Sequence, residues 1–376
     1  MTTMSHIGAD QNARPFLYGG EEAALVEALL SGHYGHTRVT ELFEAGIARF
    51  LGVPETVAVA SGTSALHIAL LAAGVGPGHE VLVPSFTFCA SVQAVLAVGA
   101  RPRFVDVSPR TLCIDSDTVL DAITPDTRAV MPVLYGGRVV DLSDVQPVLS
   151  EHAIAVVEDA AHAFGSRSGP QRVGATGSLT CFSFGPVKNL TCGQGGMIIP
   201  RTPLEADTCR RLRGLGIVES AVRRADATSY VVDGFGLRAQ MSSLNAAIGL
   251  VQLAHFADAE TKRKALWRAY AAALQGLDGI TVVDVDVEHS IPHLCAVRVH
   301  EERDQVFRSL RERRVGVGTH YPPNHLQPAY APWRRSLPVT ERLRREVMTL
   351  PFHQHMTASD VEHVASKLAD VLGGSR

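Results

Sequence analysis

The stretch "EVLVPSFTFCASVQAVLAVGARPRFVDV", residues 80–107, changes from a strand pattern to a helix pattern and back again. Residues 80–84 and 101–107 are short runs rich in valine, and residues 90–99 between them are helical in pattern. A strand, a helix and a second strand in succession are typical of a mainly parallel sheet with helices packed on its faces. This stretch therefore predicts one strand–helix–strand unit of such a sheet.

The same alternation continues from residue 56 to residue 200. Five further strands are predicted at 56–60, 128–134, 153–159, 179–184 and 195–200, and helices at 21–32, 37–52, 61–74 and 142–152. The strand runs are continuously apolar, which is typical of strands buried on both faces. We therefore predict an α/β fold with a mainly parallel seven-stranded sheet, and an active site at the carboxyl ends of the strands.

The pattern changes after a long helical stretch at 242–274. Residues 279–287 and 293–300 alternate apolar and polar side chains, as half-exposed strands do. Amphipathic helices are predicted at 303–314 and 357–372. We expect two domains: a large domain with an N-terminal segment over residues 1–255, and a smaller α+β domain over residues 256–376.

Composition excludes several classes of function. The 376 residues include 35 basic and 38 acidic side chains without a long run of either sign, so nucleic-acid and membrane-surface binding have no electrostatic support. The six cysteines form no C-x-x-C pair and are expected to be free thiols in a reducing compartment. The N-terminus has no apolar signal core, which predicts a cytoplasmic protein. Pro292 between His289 and His293 argues against a helical metal pair, and no metal site is expected.

Three features after predicted strands could carry chemistry. "SGTSALH", residues 61–67, joins a strand to a helix, so its backbone N–H groups could bind an anion, although Ser61 or Ser64 could equally be a plain N-cap. Asp159 ends a buried strand, where it could face a ligand or merely cap a helix or form a loop salt bridge. No G-x-G-x-x-G fingerprint occurs, so a nicotinamide site has little support.

The third feature is Lys188, the single lysine of "CFSFGPVKNLTCGQGG", residues 181–196. Its apolar neighbours disfavour the charged form and lower the pKa of the amine, which suits a lysine that forms a Schiff base. An anion cradle, a strand-end carboxylate and a sequestered lysine together match the needs of pyridoxal phosphate (PLP). The phosphate would occupy the cradle, Lys188 would form the internal aldimine, and Asp159 would keep the pyridine nitrogen protonated.

The chain resembles the DegT/DnrJ/EryC1/StrS family of PLP-dependent sugar aminotransferases. The resemblance rests on residues 61–107, "VEDAAHAFGS", "FSFGPVKNLTCGQGGM" and "MSSLNAAIGLVQL", and it runs from about residue 12 to residue 372. It implies an aspartate-aminotransferase-like (type I) fold and a homodimer with shared active sites. It assigns the aldimine to Lys188, the pyridine nitrogen to Asp159, the ring hydroxyl to His162, phosphate binding to Gly62, Thr63 and Ser183, and ring stacking to Phe88.

Three positions depart from the family pattern. Arg238 stands where the family usually has an Asn that reaches the neighbouring subunit's phosphate, and Gln240 stands where it has an Arg. Gln194 replaces a frequent Glu, and Leu134 replaces a His or Asp near the substrate. By the same resemblance His320 and Tyr321 are expected at the substrate mouth. Tyr34, in the N-terminal segment, could reach the active-site entrance or simply lie in a turn at a helix end.

The resemblance also implies a reaction. We expect an amino group to move from glutamate or glutamine, by way of pyridoxamine phosphate, to a keto carbon of a nucleotide-activated deoxysugar. Related dehydratases replace the lysine with histidine, so Lys188 favours transamination. A keto-cyclitol of an aminoglycoside-type pathway is an alternative acceptor. A non-catalytic PLP-binding regulator is an alternative of another class, although it should have lost the lysine or the carboxylate.

Overall fold

A computed structural model of the protein describes residues 8–218 and 228–373. Its centre is a seven-stranded sheet in the order β1-β9-β8-β5-β4-β2-β3. The strands are β1 (Val57–Val59), β2 (Glu80–Pro84), β3 (Arg101–Val105), β4 (Thr127–Val130), β5 (Ala155–Asp159), β8 (Leu179–Ser183) and β9 (Gly196–Ile199). The neighbours from β8 through β3 are parallel, whereas β9 runs antiparallel to β8 and β1. The predicted mainly parallel seven-stranded sheet is confirmed.

Helices cover both faces of this sheet. They are α1 (Glu21–Leu30), α2 (Arg38–Leu51), α3 (Gly62–Ala72), α4 (Cys89–Ala97), α5 (Ser116–Leu120), α6 (Gln146–Glu151) and α7 (Pro203–Arg213). Side chains of one strand alternate between two cores: Val81 and Val83 pack with α3 and α4, and Leu82 packs with Phe86 on the opposite face. Burial on both faces explains why the strand runs in the sequence are continuously apolar.

Two short elements had no signal in the sequence. β6 (Arg167–Ser168) and β7 (Gln171–Arg172) form a separate two-stranded hairpin, and α5 lies in a stretch that reads only as polar. A strand of two residues is too short to show a periodic pattern. Several predicted strands are also longer than the observed ones, as at 128–134, where β4 ends at Val130.

The C-terminal part forms a second, three-stranded antiparallel sheet in the order β10-β11-β12. Its elements are β10 (Ile280–Val282), β11 (Cys295–Val299), α10 (Arg303–Glu312), α11 (Pro338–Glu346), β12 (Val347–Leu350) and α12 (Ala358–Gly373). The predicted helix 242–274 is two helices, α8 (Ser243–Ala254) and α9 (Phe256–Ala273), because His255 leaves the helical conformation at φ -103° and ψ 11°. The domain boundary after residue 255 stays a prediction. Within the described residues, none of the helices has the length and apolar composition needed to cross a membrane.

Candidate active site

The carboxyl ends of five strands surround one cavity of about 200 Å³. β5 and β8 are parallel neighbours, so their last residues, Asp159 and Ser183, lie at the same edge of the sheet. Residues that follow β1, β2, β4, β5 and β8 complete the wall. The cavity brings together eight residues chosen from the sequence: Gly62, Thr63, Phe88, Asp159, His162, Ser183, Lys188 and Tyr321.

The anion cradle is the start of α3. Ser61 is the N-cap, and its Oγ accepts a hydrogen bond of 3.1 Å from the backbone N–H of Ser64. Ser61 is therefore an N-cap, as one of the two interpretations of this segment predicted. This role is compatible with anion binding by the backbone N–H groups that follow it. Gly62 and Thr63 occupy the first helical positions, whose N–H groups have no partner within a helix. These N–H groups, with the positive end of the helix dipole, suit a phosphate.

Gly62 is required by close packing. A Cβ added at this residue would lie 2.7 Å from the Cβ of Ser183 and 3.1 Å from its Oγ. Only a residue without a side chain lets the start of α3 approach the end of β8 this closely. The approach brings the Ser183 hydroxyl to the same wall of the cavity as the helix N-terminus.

Lys188 lies in the loop after β8 and lines the cavity. The pKa of its amine is lowered to about 8, mainly because burial disfavours the charged form, while Asp159 raises it and Arg263 lowers it further. A substantial fraction of the amine is therefore neutral, and hence nucleophilic, near physiological pH. The low pKa that the apolar neighbours predicted agrees with the structure.

Asp159 is only 6% exposed. Its Oδ2 accepts a hydrogen bond of 2.6 Å from Ser91 Oγ, and its Oδ1 accepts one of 3.2 Å from the backbone N–H of Ala161. Burial raises the pKa of the carboxyl, and the bond from Ser91 is the largest effect that opposes it. Ser91 had no signal in the sequence, because it stands inside a predicted helix.

His162 is buried and has protein partners at both ring nitrogens. Its Nδ1 accepts a hydrogen bond of 3.3 Å from the backbone N–H of Gly136, so the neutral ring carries its proton on Nε2, 3.0 Å from Tyr321 Oη. Burial, followed by the charge of Lys188, holds the pKa of His162 well below its usual range. The ring of His293 packs against it with centroids 4.2 Å apart and the ring planes tilted by 31°, a neighbour that the sequence did not predict. The expected contact of His162 with a cofactor hydroxyl stays a prediction.

A second, larger cavity of about 730 Å³ adjoins the first. Phe88 and Tyr321 line both cavities, with ring centroids 5.6 Å apart. His320 lines the larger one; burial is the main effect that lowers its pKa to about 4, so the ring is neutral. Phe88 is 55% exposed, which leaves a ring face open to a ligand. His320 and Tyr321 thus both line the larger cavity, and their expected role at a substrate mouth stays a prediction.

Three predicted residues do not line either cavity. Leu134 is 1% exposed and packs in the core, while its neighbour Val133 lines the smaller cavity. Leu134 stands at the start of the turn Tyr135–Gly137, and its expected place near the substrate stays a prediction. Tyr34 and Arg238 are exposed on this chain, and the Tyr34 hydroxyl donates to the carbonyl of Leu29 at 3.0 Å. The expected contact of Arg238 with a neighbouring subunit's phosphate and the possible reach of Tyr34 to the active-site entrance stay predictions.

The residues present fit PLP. The cavity offers a cradle that a Cβ at Gly62 would fill, a lysine amine and a buried carboxylate, which correspond to the cofactor's phosphate, aldehyde and pyridine nitrogen. Gln194, which stands where the family often has Glu, also lines the cavity. In the part of the chain that the structure describes, no three His, Cys, Asp or Glu side chains are grouped so that they could hold a metal ion.

Comparison with known proteins agrees with this geometry. The model of the DegT/DnrJ/EryC1/StrS aminotransferase family matches residues 18–369. The aminotransferase TlmJ from Streptoalloteichus hindustanus is 34% identical, with a TM-score of 0.90 over 97% of this chain and 99% of that chain. DesV from S. venezuelae, solved with a ketimine intermediate, is 35% identical, with a TM-score of 0.88 over 96% of this chain and 98% of that chain.

A third similar structure bears on the cofactor. Spr1654 from Streptococcus pneumoniae has been solved in a PLP form, which is 27% identical with a TM-score of 0.90 over 97% of this chain and 98% of that chain. Its PMP form has been solved as well. The matched family, the shared fold and the Lys188–Asp159 cavity identify this chain as a PLP-dependent aminotransferase of the DegT/DnrJ/EryC1/StrS family.

Proposed function

We propose that the enzyme transfers an amino group from glutamate or glutamine to a keto carbon of a nucleotide-activated deoxysugar. The observation that supports this best is the pair of adjoining cavities, one holding Lys188 and Asp159 and the other large enough for a sugar ring. Bound PLP would supply an electron-withdrawing ring that stabilises negative charge on the substrate carbon. The chain's own residues supply the binding, the orientation and the proton transfer.

Lys188 is the group that moves protons. With a pKa of about 8, its amine takes a proton near neutral pH and gives it up again without a large energetic cost. The buried carboxylate of Asp159 is acceptor-only when ionised, so it favours a protonated ring nitrogen. Phe88, at the wall between the two cavities, would hold the ring plane from one side.

The larger cavity suits the uncharged sugar ring of the proposed acceptor. Its described lining contains no Asp, Glu, Lys or Arg, and His320 is neutral. Aromatic faces from Phe88, Tyr321 and Tyr330 alternate with amides from Asn324 and Gln327. Aromatic surface with a few hydrogen-bonding groups suits the deoxysugar ring, as distinct from the charged diphosphate of the nucleotide.

We further propose that the enzyme is a homodimer whose active sites are shared between subunits. Exposed apolar side chains occur on α1, where Leu30 is 81% exposed, and in residues 230–235, where Phe235 is 66% exposed. Tyr34 and Arg238 follow these two segments directly. Such surfaces are typical of a face covered by a partner, and C2 symmetry would bring Arg238 of one subunit toward the site of the other. The six free thiols support a reducing, cytoplasmic location.

Mixing inactive variants tests the shared site. Lys188→Ala and Arg238→Glu would each inactivate homodimers, but a mixed dimer keeps one site with both residues intact. Co-expression should therefore restore roughly a quarter of the wild-type activity. Co-expression of Lys188→Ala with Asp159→Asn is the matched control, because both residues belong to one chain's cavity, and it should restore none. Equal recovery in the two mixtures, or none in the first, would refute the shared site.

The substrate is tested with a panel of amino sugars. Nucleotide-linked 3-amino and 4-amino deoxysugars, run in reverse with 2-oxoglutarate, should give keto products, whereas the matching free amino-cyclitols should react much more slowly. Faster turnover of a free cyclitol would replace our proposal with the keto-cyclitol alternative. PLP binding without turnover of any amino compound would favour the regulator, although intact Lys188 and Asp159 argue against it.

A further inference from the structure

We propose that Ser91 is a positioning residue that holds the Asp159 carboxylate, through a hydrogen bond to Oδ2, in the orientation that receives the N–H of the cofactor ring. This role goes beyond the proposed substrate and does not depend on which keto compound is used. It is carried by the 2.6 Å distance between Ser91 Oγ and Asp159 Oδ2, with both groups buried.

The two oxygens of Asp159 are fixed by different donors. Ser91 donates to Oδ2, and the backbone N–H of Ala161 donates to Oδ1 at 3.2 Å. A carboxylate has about four acceptor sites, so two donors fix its plane and leave lone pairs for a ligand. Asp159 lines the smaller cavity, where those lone pairs are available.

Thr87 extends the hydrogen-bond chain from Ser91 to Asp159 and determines which hydroxyl donates in it. Its Oγ1 lies 3.0 Å from Ser91 Oγ, and both side chains are almost fully buried. A serine hydroxyl has one proton, and Ser91 donates that proton to Asp159, so Thr87 is the donor in its bond to Ser91. Consecutive donors that end on a carboxylate oxygen stabilise the ionised carboxylate, and each hydrogen bond in the chain strengthens the next by polarising it.

The same turn of helix also supplies the aromatic ring of the site. α4 begins at Cys89 with Phe88 as its N-cap, and Phe88 makes no capping bond through its side chain. Ser91, in the first turn, uses its hydroxyl on Asp159, which lies 68 residues away in the sequence. The start of α4 therefore fixes both a ring that lines the cavity and the orientation of the carboxylate across it.

The test compares two cofactors on apoenzyme. Dissociation constants are measured for PLP and for its 1-deaza analogue, in which a C–H group replaces the ring nitrogen. Ser91→Ala should weaken PLP binding about tenfold or more, since a charge-assisted bond to Asp159 is lost. The same change should alter binding of the deaza analogue by less than about threefold, because that analogue has no N–H for Asp159 to accept. Ser91→Thr, which keeps the hydroxyl, should restore the wild-type preference.

Thr180→Val is the matched control. Thr180 Oγ1 donates to Glu158 Oε2 at 2.6 Å, so this change also removes a short bond to a buried carboxylate, one residue earlier on β5. Glu158 does not line the cavity, so the ratio of PLP to deaza-PLP affinity should stay at its wild-type value. Equal weakening of both cofactors by Ser91→Ala would show a merely structural role and overturn the proposal. An unchanged PLP affinity, or no recovery with Ser91→Thr, would overturn it as well.

Discussion

The reactivity of Lys188 in the cofactor-free protein can be measured against internal references. The chain contains four lysines, Lys188, Lys262, Lys264 and Lys367, so acylation can be followed residue by residue. Only the neutral amine reacts. With a pKa of about 8, roughly a tenth of Lys188 is neutral at pH 7, against about 0.04% of a lysine with the ordinary pKa of ~10.4. The difference in reactive fraction is about 200-fold.

The assay is competitive labelling between pH 6 and pH 11. A trace of isotopically labelled acetic anhydride is applied to the folded apoenzyme, the remaining lysines are acetylated in denaturant, and peptide mass spectrometry gives each rate. The rate for Lys188 should inflect near pH 8. Asp159→Asn should shift the inflection to lower pH, because the Asp159 anion raises the pKa of Lys188. An inflection at pH 10 or above, or a shift to higher pH in Asp159→Asn, would refute the reasoning.

The same burial has a consequence for stability. The pKa of Lys188 is lower in the folded state than in the unfolded state. Burial of this amine therefore lowers the unfolding free energy by its full amount below pH 8, and the loss disappears as the pH rises toward ~10.4. A lysine pKa lowered to about 8 corresponds to roughly 3 kcal/mol of unfolding free energy. Lys188→Met should therefore stabilise the apoenzyme by up to about 3 kcal/mol near pH 7. The gain is reduced because the substitution also removes the attraction between the Lys188 amine and the Asp159 carboxylate. Urea unfolding at pH 7 and pH 10 should show the gain shrinking at the higher pH, and a gain independent of pH would contradict this account.

Two further predictions concern the cradle and the wall between the cavities. Gly62→Ala should weaken PLP binding at least about tenfold, because its Cβ would overlap Ser183; a titration that gives an affinity within threefold of wild type would contradict the cradle. Tyr321→Phe should lower the unfolding free energy by about 1–3 kcal/mol, because it leaves the buried Nε2–H of His162 without an acceptor. Urea unfolding measures the loss, and a stability equal to wild type would mean that this bond does not fix the ring.

The sheet was predictable because its strands are short, valine-rich and buried on both faces. Val81 and Val83 face one core and Leu82 the other, so no polar alternation interrupts the run. The direction of a strand leaves no such mark. β9 is as apolar as the parallel strands of the sheet. Its antiparallel direction depends on the path of the loop between β8 and β9, which its own composition does not encode.

The site was predictable where a residue directly follows a strand. Asp159, Ser183 and Lys188 all stand at or just after strand ends, and the parallel strands bring those ends to one edge. Ser91 was missed because its position in a helix resembles any other, and only folding brings it to Asp159. Leu134 was placed near the substrate by the resemblance, because it follows Pro132 and Val133 where the family often has His or Asp; in the structure Val133 lines the smaller cavity and Leu134 is buried in the core.

The charges around the smaller cavity explain why an arginine at position 238 is physically reasonable. Among the described lining residues, Lys188 and Asp159 are the charged pair, and they roughly compensate each other, while His162 is held neutral. Gln194 adds no charge where the family often has Glu. Among the described residues that line the cavity, the N-terminus of α3 would then be the main balance for a phosphate dianion, and it supplies about half of a positive charge. A guanidinium reaching in from another subunit supplies a full charge and two parallel donors, which an asparagine amide does not. In the homodimer proposed above, we therefore infer that Arg238 of a neighbouring subunit adds the positive charge that the described lining of one chain's cavity lacks toward phosphate.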